Sequence, residues 1–233
     1  VATADGQPTL TLTSSIRMGL DGRIVTGSTR MREGEKEFVA LAFSELPGPA
    51  DVHEADVMIE QTADFWRQWL FQGAFPDHPW RAYLQSSALA LKGLSYSPTG
   101  AVMAAATTSL PETPHGERNW DYRYTWIRDS TFALWGLYTL GFDREADDFF
   151  YFIHDVASGD PNHLQVMYGV GGERKLTEST LDHLSGYGDA RPVRVGNGAF
   201  DQHQHDVWGA LLDSVYLHTR SRDQMPEELW PIV

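Results

Sequence analysis

Residues 118–140 read RNWDYRYTWIRDSTFALWGLYTL, and the character of the stretch changes at Trp126. Before it, Trp120, Tyr122 and Tyr124 alternate with Arg118, Asp121 and Arg123. After it, beyond Ser130, the residues to Leu140 are apolar nearly all round, the pattern of a helix buried on most sides. Arg128 and Asp129 therefore fall in the first turn of that helix. A charged pair is costly there unless it is hydrogen-bonded or faces a wet pocket. An Asp near a helix N-terminus also gains from the helix dipole. One reading is a helix start whose aromatics are core and whose arginines form structural ion pairs. The other is the wall of a sugar pocket, where aromatic faces cover C–H surfaces while Arg and Asp exchange hydrogen bonds with hydroxyls. The abrupt switch at Trp126 favours the second.

Working outward, TTSLPETPHGERN (107–119) precedes the stretch and carries Glu112, a lone carboxylate between Pro111 and Thr113. Its closeness in sequence to the aromatic cluster makes it a pocket candidate, against the alternative of a solvated loop residue. Downstream, RPVRVGNGAFDQHQHDVWG (191–209) combines Arg191 and Arg194, Gly196 and Gly198 for tight backbone, and the amides of Asn197 and Gln204. His203, His205 and Asp206 invite a metal reading, but positions i and i+2 point to different sides of a helix, so capping and surface roles are preferred. YGVGGERK (168–175) reads as a turn, because no G-x-G-x-x-G follows a strand there.

The wider pattern predicts a mainly α chain with an N-terminal β portion. LTLTSSIRM, RIVTGSTRM and EFVALAFSEL read as strands of one small sheet, with turns at 21–22 and 33–36. LPGPA at 46–50 marks a boundary. The expected domains are residues 1–48, a β piece; 49–78, a linker helix; and 79–233, a helical domain. Helices are expected over 51–70, 79–95, 126–140 and 205–219, with another opened by Asp143 as its cap and a last one starting at PEELWPIV. The connections 96–120 and 158–198 are long enough to suggest function.

The chain has 233 residues, 42% of them hydrophobic, so a sizeable core is affordable. A formal net charge of −14 argues against nucleic acid and anionic membrane surfaces as partners. There is no cysteine, hence no disulfide framework and no thiolate metal site. No apolar run is long enough to span a membrane, and the first ten residues lack a basic start and an apolar segment. The expected location is cytoplasmic.

TTSLPE, RNWDYRYTWIRDS and RPVRVGNGAFDQHQHDVWG together resemble the bacterial branch of glycoside hydrolase family 15, the glucoamylase- and trehalase-like family, and most of all its actinobacterial trehalase-type members. The resemblance covers about residues 100–233. It implies a partial (α/α)6 barrel preceded by the end of a β-sandwich, with 126–140 as an inner helix. It implies that Tyr122, Trp126, Arg128 and Asp129 line the subsite for the non-reducing glucose. Arg118, Asn119 and Trp120 would support or line that wall, and Arg194 and Asn197 would lie on a neighbouring loop. The implied reaction is inverting hydrolysis of an α-glucosidic bond, with α,α-trehalose as first substrate and short α-glucans as second. Two carboxyl groups about 6.5–9.5 Å apart would perform it, one protonating the leaving oxygen and one activating water. Both belong to motifs of the family that follow later helices, and Glu227 and Glu228 do not match them. No catalytic residue is therefore expected within the chain, which reads as a portion of a larger enzyme. The expected partner is a small carbohydrate, with the rest of the barrel in the same polypeptide or in a partner chain, and a homo-oligomer stays open. No cofactor or metal is implied, while dependence on phosphate or a divalent cation is left open. A sugar-binding protein without turnover and a structural half-barrel remain the alternative readings.

Overall fold

A computed structural model of the chain describes residues 1–2, 9–43, 48–159, 164–222 and 227. The chain divides into two compact units, Val1–Trp69 and Leu70–Val233. The fold class is mixed: among the described residues there are five α-helices and several small antiparallel sheets.

In the first unit, β1 (Leu10–Ser14) pairs antiparallel with β4 (Val39–Phe43), from Leu10 opposite Phe43 to Ser14 opposite Val39. β2 (Met18–Asp21) and β3 (Ile24–Gly27) form a separate hairpin whose turn places Gly22 at positive φ. One small sheet is predicted from the sequence; two two-stranded ribbons are found. The reason is local. Ser15 and Phe38 close the first ribbon beyond Ser14: the Phe38 amide donates to Ser15 Oγ and the Ser15 amide to the Phe38 carbonyl. The chain then folds back on itself at Gly22 instead of extending the first ladder.

Helix α1 (Val52–Phe71) begins with a capping arrangement. Asp51 Oδ1 accepts from the Glu54 amide at 2.8 Å, and Glu54 Oε2 accepts from the Ala50 amide at 2.7 Å, which satisfies two amides near the helix start.

The second unit is built on α2 (Arg81–Gly93), α3 (Ile127–Thr139), α4 (Asp143–Ser158) and α5 (Asp206–Arg222). α3 is packed by all three others. It contributes Ile127, Ser130, Leu134 and Leu137 to the interior. α4 contributes Ala146, Phe149, Phe150 and Ile153 at helical spacing, and α5 contributes Val207, Leu211 and Val215. Between α3 and α4 the chain reverses through Gly141 at φ 76°. There the Gly141 amide donates to Tyr138 and the Phe142 amide to Leu137, so α3 ends in a Schellman motif whose apolar residue, Phe142, is buried.

Two expectations are corrected here. α3 is not buried on most sides: Phe132 is 71% and Trp135 60% exposed, because α2, α4 and α5 cover only the face of Ile127, Leu134 and Leu137. Asp143 does not cap α4 but is its first residue. Phe142 holds the cap position without a side-chain hydrogen bond, the geometry set by the preceding Schellman turn. The helix predicted from PEELWPIV lies, Glu227 apart, outside the described residues.

Short strands position the rest. β5 (Thr125–Trp126) pairs with β6 (Met167–Tyr168), and β7 (Ser179–Thr180) pairs with β8 (Arg194–Val195). The Ile127 amide donates to the Val166 carbonyl at 3.0 Å, so α3 starts straight from a strand and its first turn is anchored. No helix among the described residues is long and apolar enough to cross a membrane.

Candidate functional site

The two long connections meet. Thr108 Oγ1 donates to the Arg194 carbonyl at 2.7 Å, and the Arg194 amide donates to Ser109 Oγ at 2.7 Å. Asn119, fully buried, donates from Nδ2 to the Pro192 carbonyl at 2.8 Å and to the Ala190 carbonyl at 3.4 Å. These bonds replace the backbone pairing that regular structure would have provided.

At the centre is Asp121, a fully buried carboxylate. Its Oδ1 and Oδ2 accept from Arg123 Nε and Nη2 at 2.9 and 2.8 Å, a bidentate pair. Oδ2 also accepts from the Gly196 amide at 3.1 Å and the Tyr124 hydroxyl at 3.3 Å. Burial alone would raise its pKa. The hydrogen bonds and charge of Arg123, with the Gly196 amide, outweigh burial and hold the carboxyl below its ordinary value. Burial pushes the Tyr124 hydroxyl up, with the Asp121 charge adding to it, so the phenol stays a donor. Gly196 is required at this point: its φ is 86°, and a Cβ there would lie 2.1 Å from the Thr177 carbonyl oxygen.

Beside this anchor lies a cleft of about 320 Å³ lined by Trp120, Tyr122, Trp126, Glu178, Asn197 and Gln202, with Gly198 and Ala199. Tyr122 and Trp126 stand 6.2 Å apart at 49°. The Trp126 indole nitrogen is buried without a hydrogen-bond partner. Asn197 is locked, donating to the Asp121 carbonyl at 2.9 Å and accepting from the Ala199 amide at 3.0 Å. Three aromatic walls, one carboxylate and two amides suit a polyhydroxylated ligand with apolar ring faces.

The sequence candidates fall into three groups. Trp120, Tyr122, Trp126 and Asn197 line the cleft, while Arg194 lies over the Trp120 ring and is hydrogen-bonded to Asn119. Arg128 is exposed and reaches across to Gln204 at 3.2 Å and Asp206 at 3.3 Å, while Asp129 lines a different, largely apolar cleft of about 330 Å³ with Leu91, Leu94, Val102, Phe132 and Phe149. Glu112 and Arg118 pair with each other at 2.7 Å on an exposed loop. Arg128, Asp129, Glu112 and Arg118 are thus not brought into the wall that the other six form. Three residues escaped sequence reasoning. Asp121 lies inside the quoted stretch, but charge alone does not announce a buried anchor. Glu178 sits in a connection without any pattern, and Gln202, inside the quoted 191–209 stretch, carries nothing in sequence that sets it apart from Gln204. Among the described residues, no group of three or more His, Asp or Glu could hold a metal ion.

Comparison with known proteins adds to this geometry. Residues 79–233 match Glycosyl hydrolases family 15. The chain belongs to this family. It is 65% identical to the protein named trehalase of Mycobacterium tuberculosis over 232 residues, 98% of this chain and 34% of that protein. It is 64% identical to the trehalase of Mycolicibacterium smegmatis over 98% of this chain and 35% of that protein. A trehalase of Thermoplasma acidophilum is 39% identical over 79% of this chain and 31% of its own length. The chain therefore spans about a third of the length of the curated relatives it matches. No solved structure matches. Within this family 15 chain, the Trp120–Trp126 cleft joins aromatic walls to convergent polar groups.

Proposed function

We propose that this chain is part of an inverting α-glucosidase, and that the full-length protein hydrolyses α,α-trehalose to glucose. The observation that carries the proposal is the cleft of Trp120, Tyr122, Trp126, Glu178, Asn197 and Gln202 in a family 15 glycosyl hydrolase whose relatives of about two-thirds identity are named trehalase. The indoles and the phenol supply flat apolar faces for a pyranose ring. Asn197 and Gln202 supply amides for its hydroxyls.

In this reading residues 79–233 form the first part of an (α/α)6 barrel, residues 1–48 a piece of a β-sandwich and residues 49–78 a linking helix. The general acid and base are glutamates carried by segments after Val233. The acid protonates the glycosidic oxygen while the base removes a proton from a water on the opposite face of the sugar, so the anomeric configuration inverts. The partner is a small carbohydrate, and the setting is the cytoplasm.

The test is to incubate the full-length protein with trehalose and follow glucose by NMR. Release of one α- and one β-glucose per trehalose in the first turnovers supports the proposal. Release of α-glucose alone overturns inversion, and cleavage of maltose but not trehalose overturns the substrate.

A further inference from the structure

Glu178 carries a charge at the cleft that the reaction above leaves without a defined task. It stands just before β7, and its Oε1 accepts from Arg194 Nη1 at 2.6 Å. Both side chains are largely shielded from solvent. Arg194 is held on a second edge, since its Nε donates to Asn119 Oδ1 at 3.3 Å. Its guanidinium lies over Trp120, with Cζ 4.6 Å from the ring centroid. Two acceptors on different nitrogens fix the plane of a guanidinium, and a fixed cation over an indole is attracted by the ring quadrupole. A line of contact therefore runs from a carboxylate through a guanidinium to the Trp120 face of the cleft. The backbone turn nearby does not depend on it, because Asp121 holds the Gly196 amide and the Asn197 side chain holds the Asp121 carbonyl.

We propose that Glu178 is a positioning residue: acting through Arg194, it holds the Trp120 indole in the plane against which a sugar ring stacks. This rests on the proposed carbohydrate site. Neutralising Glu178 leaves the guanidinium with one acceptor, frees it to rotate off the indole, and loosens the wall. Binding of the ring suffers first, and the chemical step less.

The experiment is steady-state kinetics of the full-length protein on trehalose, with Glu178→Gln, Glu178→Asp, Arg194→Lys, Trp120→Ala and the Glu178→Gln/Trp120→Ala double variant, each with its melting temperature. Glu178→Gln is expected to raise KM about tenfold, the usual scale for losing a charged hydrogen-bond partner, with a smaller fall in kcat. Glu178→Asp, which keeps the charge, recovers part of the loss. The double variant is no worse than Trp120→Ala, because both act through one ring. An unchanged KM in Glu178→Gln, or fully additive losses in the double variant, overturns the proposal. Should Glu178→Gln fail to fold, Arg194→Lys, which keeps the cation but loses the planar fork, must show the same rise in KM. If the wild type cleaves no trehalose, the proposed function has failed, and calorimetric titration with trehalose and glucose replaces KM by Kd for the same variants. A wild type that binds neither sugar overturns both readings.

Discussion

Converting Asp121 to Asn removes the charge and turns one acceptor oxygen into an amide donor, which touches five contacts at once. Arg123 loses its bidentate partner, and the Gly196 amide and Tyr124 hydroxyl face a poorer acceptor. Arg123 is 40% exposed and recovers part of its hydration, so the cost belongs at the low end for breaking a buried pair, about 3 kcal/mol. Urea denaturation checks it. The pH dependence follows from the same group. Its folded pKa lies below the 3.8 of an ordinary Asp. The stabilisation is therefore complete above about pH 4 and drains as the pH falls through the lower, folded value. In Asp121→Asn that acid limb of the stability curve flattens. None of this was visible in RNWDYRYTWIRDS, where Asp121 and Asp129 carry equal charge; only the long-range return of Gly196 tells the buried one from the exposed one.

At the scale of elements, α3, α4 and α5 are joined by a polar knot inside their apolar contacts. The Tyr138 hydroxyl donates to Asp147 at 3.0 Å and lies 2.8 Å from His218 Nδ1, and Arg222 pairs with Asp147 and Asp143. With its own proton committed to Asp147, the Tyr138 oxygen accepts from His218, which places the proton of the neutral imidazole on Nδ1. His218 stacks on Phe150 at 4.0 Å and 4°. Burial and Asp147 push the Tyr138 hydroxyl up, so it remains a donor. Burial lowers the His218 pKa below 6.5; Asp147 opposes this only in part, since Arg222 already compensates its charge. As the pH falls below 6.5, the unfolded chain takes up the proton first, so the stability this histidine contributes is present above 6.5 and is lost beneath it. The wild type should therefore lose more of its melting temperature between pH 7.5 and 5.5 than His218→Gln does; parallel slopes would remove His218 from the account.

The helices carrying this knot were legible: α4 and α5 repeat apolar residues at three- and four-residue steps, and α3 is a nearly continuous apolar run closed by Gly141. The pairing of β5 with β6 and of β7 with β8 was not. Two-residue strands have no period to read, and their partners lie 14 to 43 residues away along the chain. That is also why Trp120, Tyr122, Trp126, Arg194 and Asn197 could be grouped in advance by motif, whereas the departure of Arg128 and Asp129 to other surfaces could not.

At the scale of the whole molecule, apolar surface is left open in each unit. In the first, Val39, Leu41 and Phe43 alternate along β4 and are all exposed. In the second, Phe132 and Trp135 on α3 are exposed, and Trp208, Leu212 and Tyr216 form a stripe at four-residue spacing along α5. The 233-residue chain should consequently bind the dye ANS and associate as its concentration rises. The double change Phe132→Lys with Leu212→Glu should lower both signals in fluorescence and light scattering. An unchanged dye signal would place the open surface elsewhere. Inside the second unit, one side chain separates two kinds of interior. Trp126 faces the apolar cleft of Leu91, Val102 and Phe149 on one side and the polar cleft of Trp120 and Asn197 on the other. It is a party wall. Close-packed groups pass strain to their neighbours, so whatever crowds the oily room must move the furniture in the wet one. A compound that acts on the polar cleft need not resemble whatever that cleft binds.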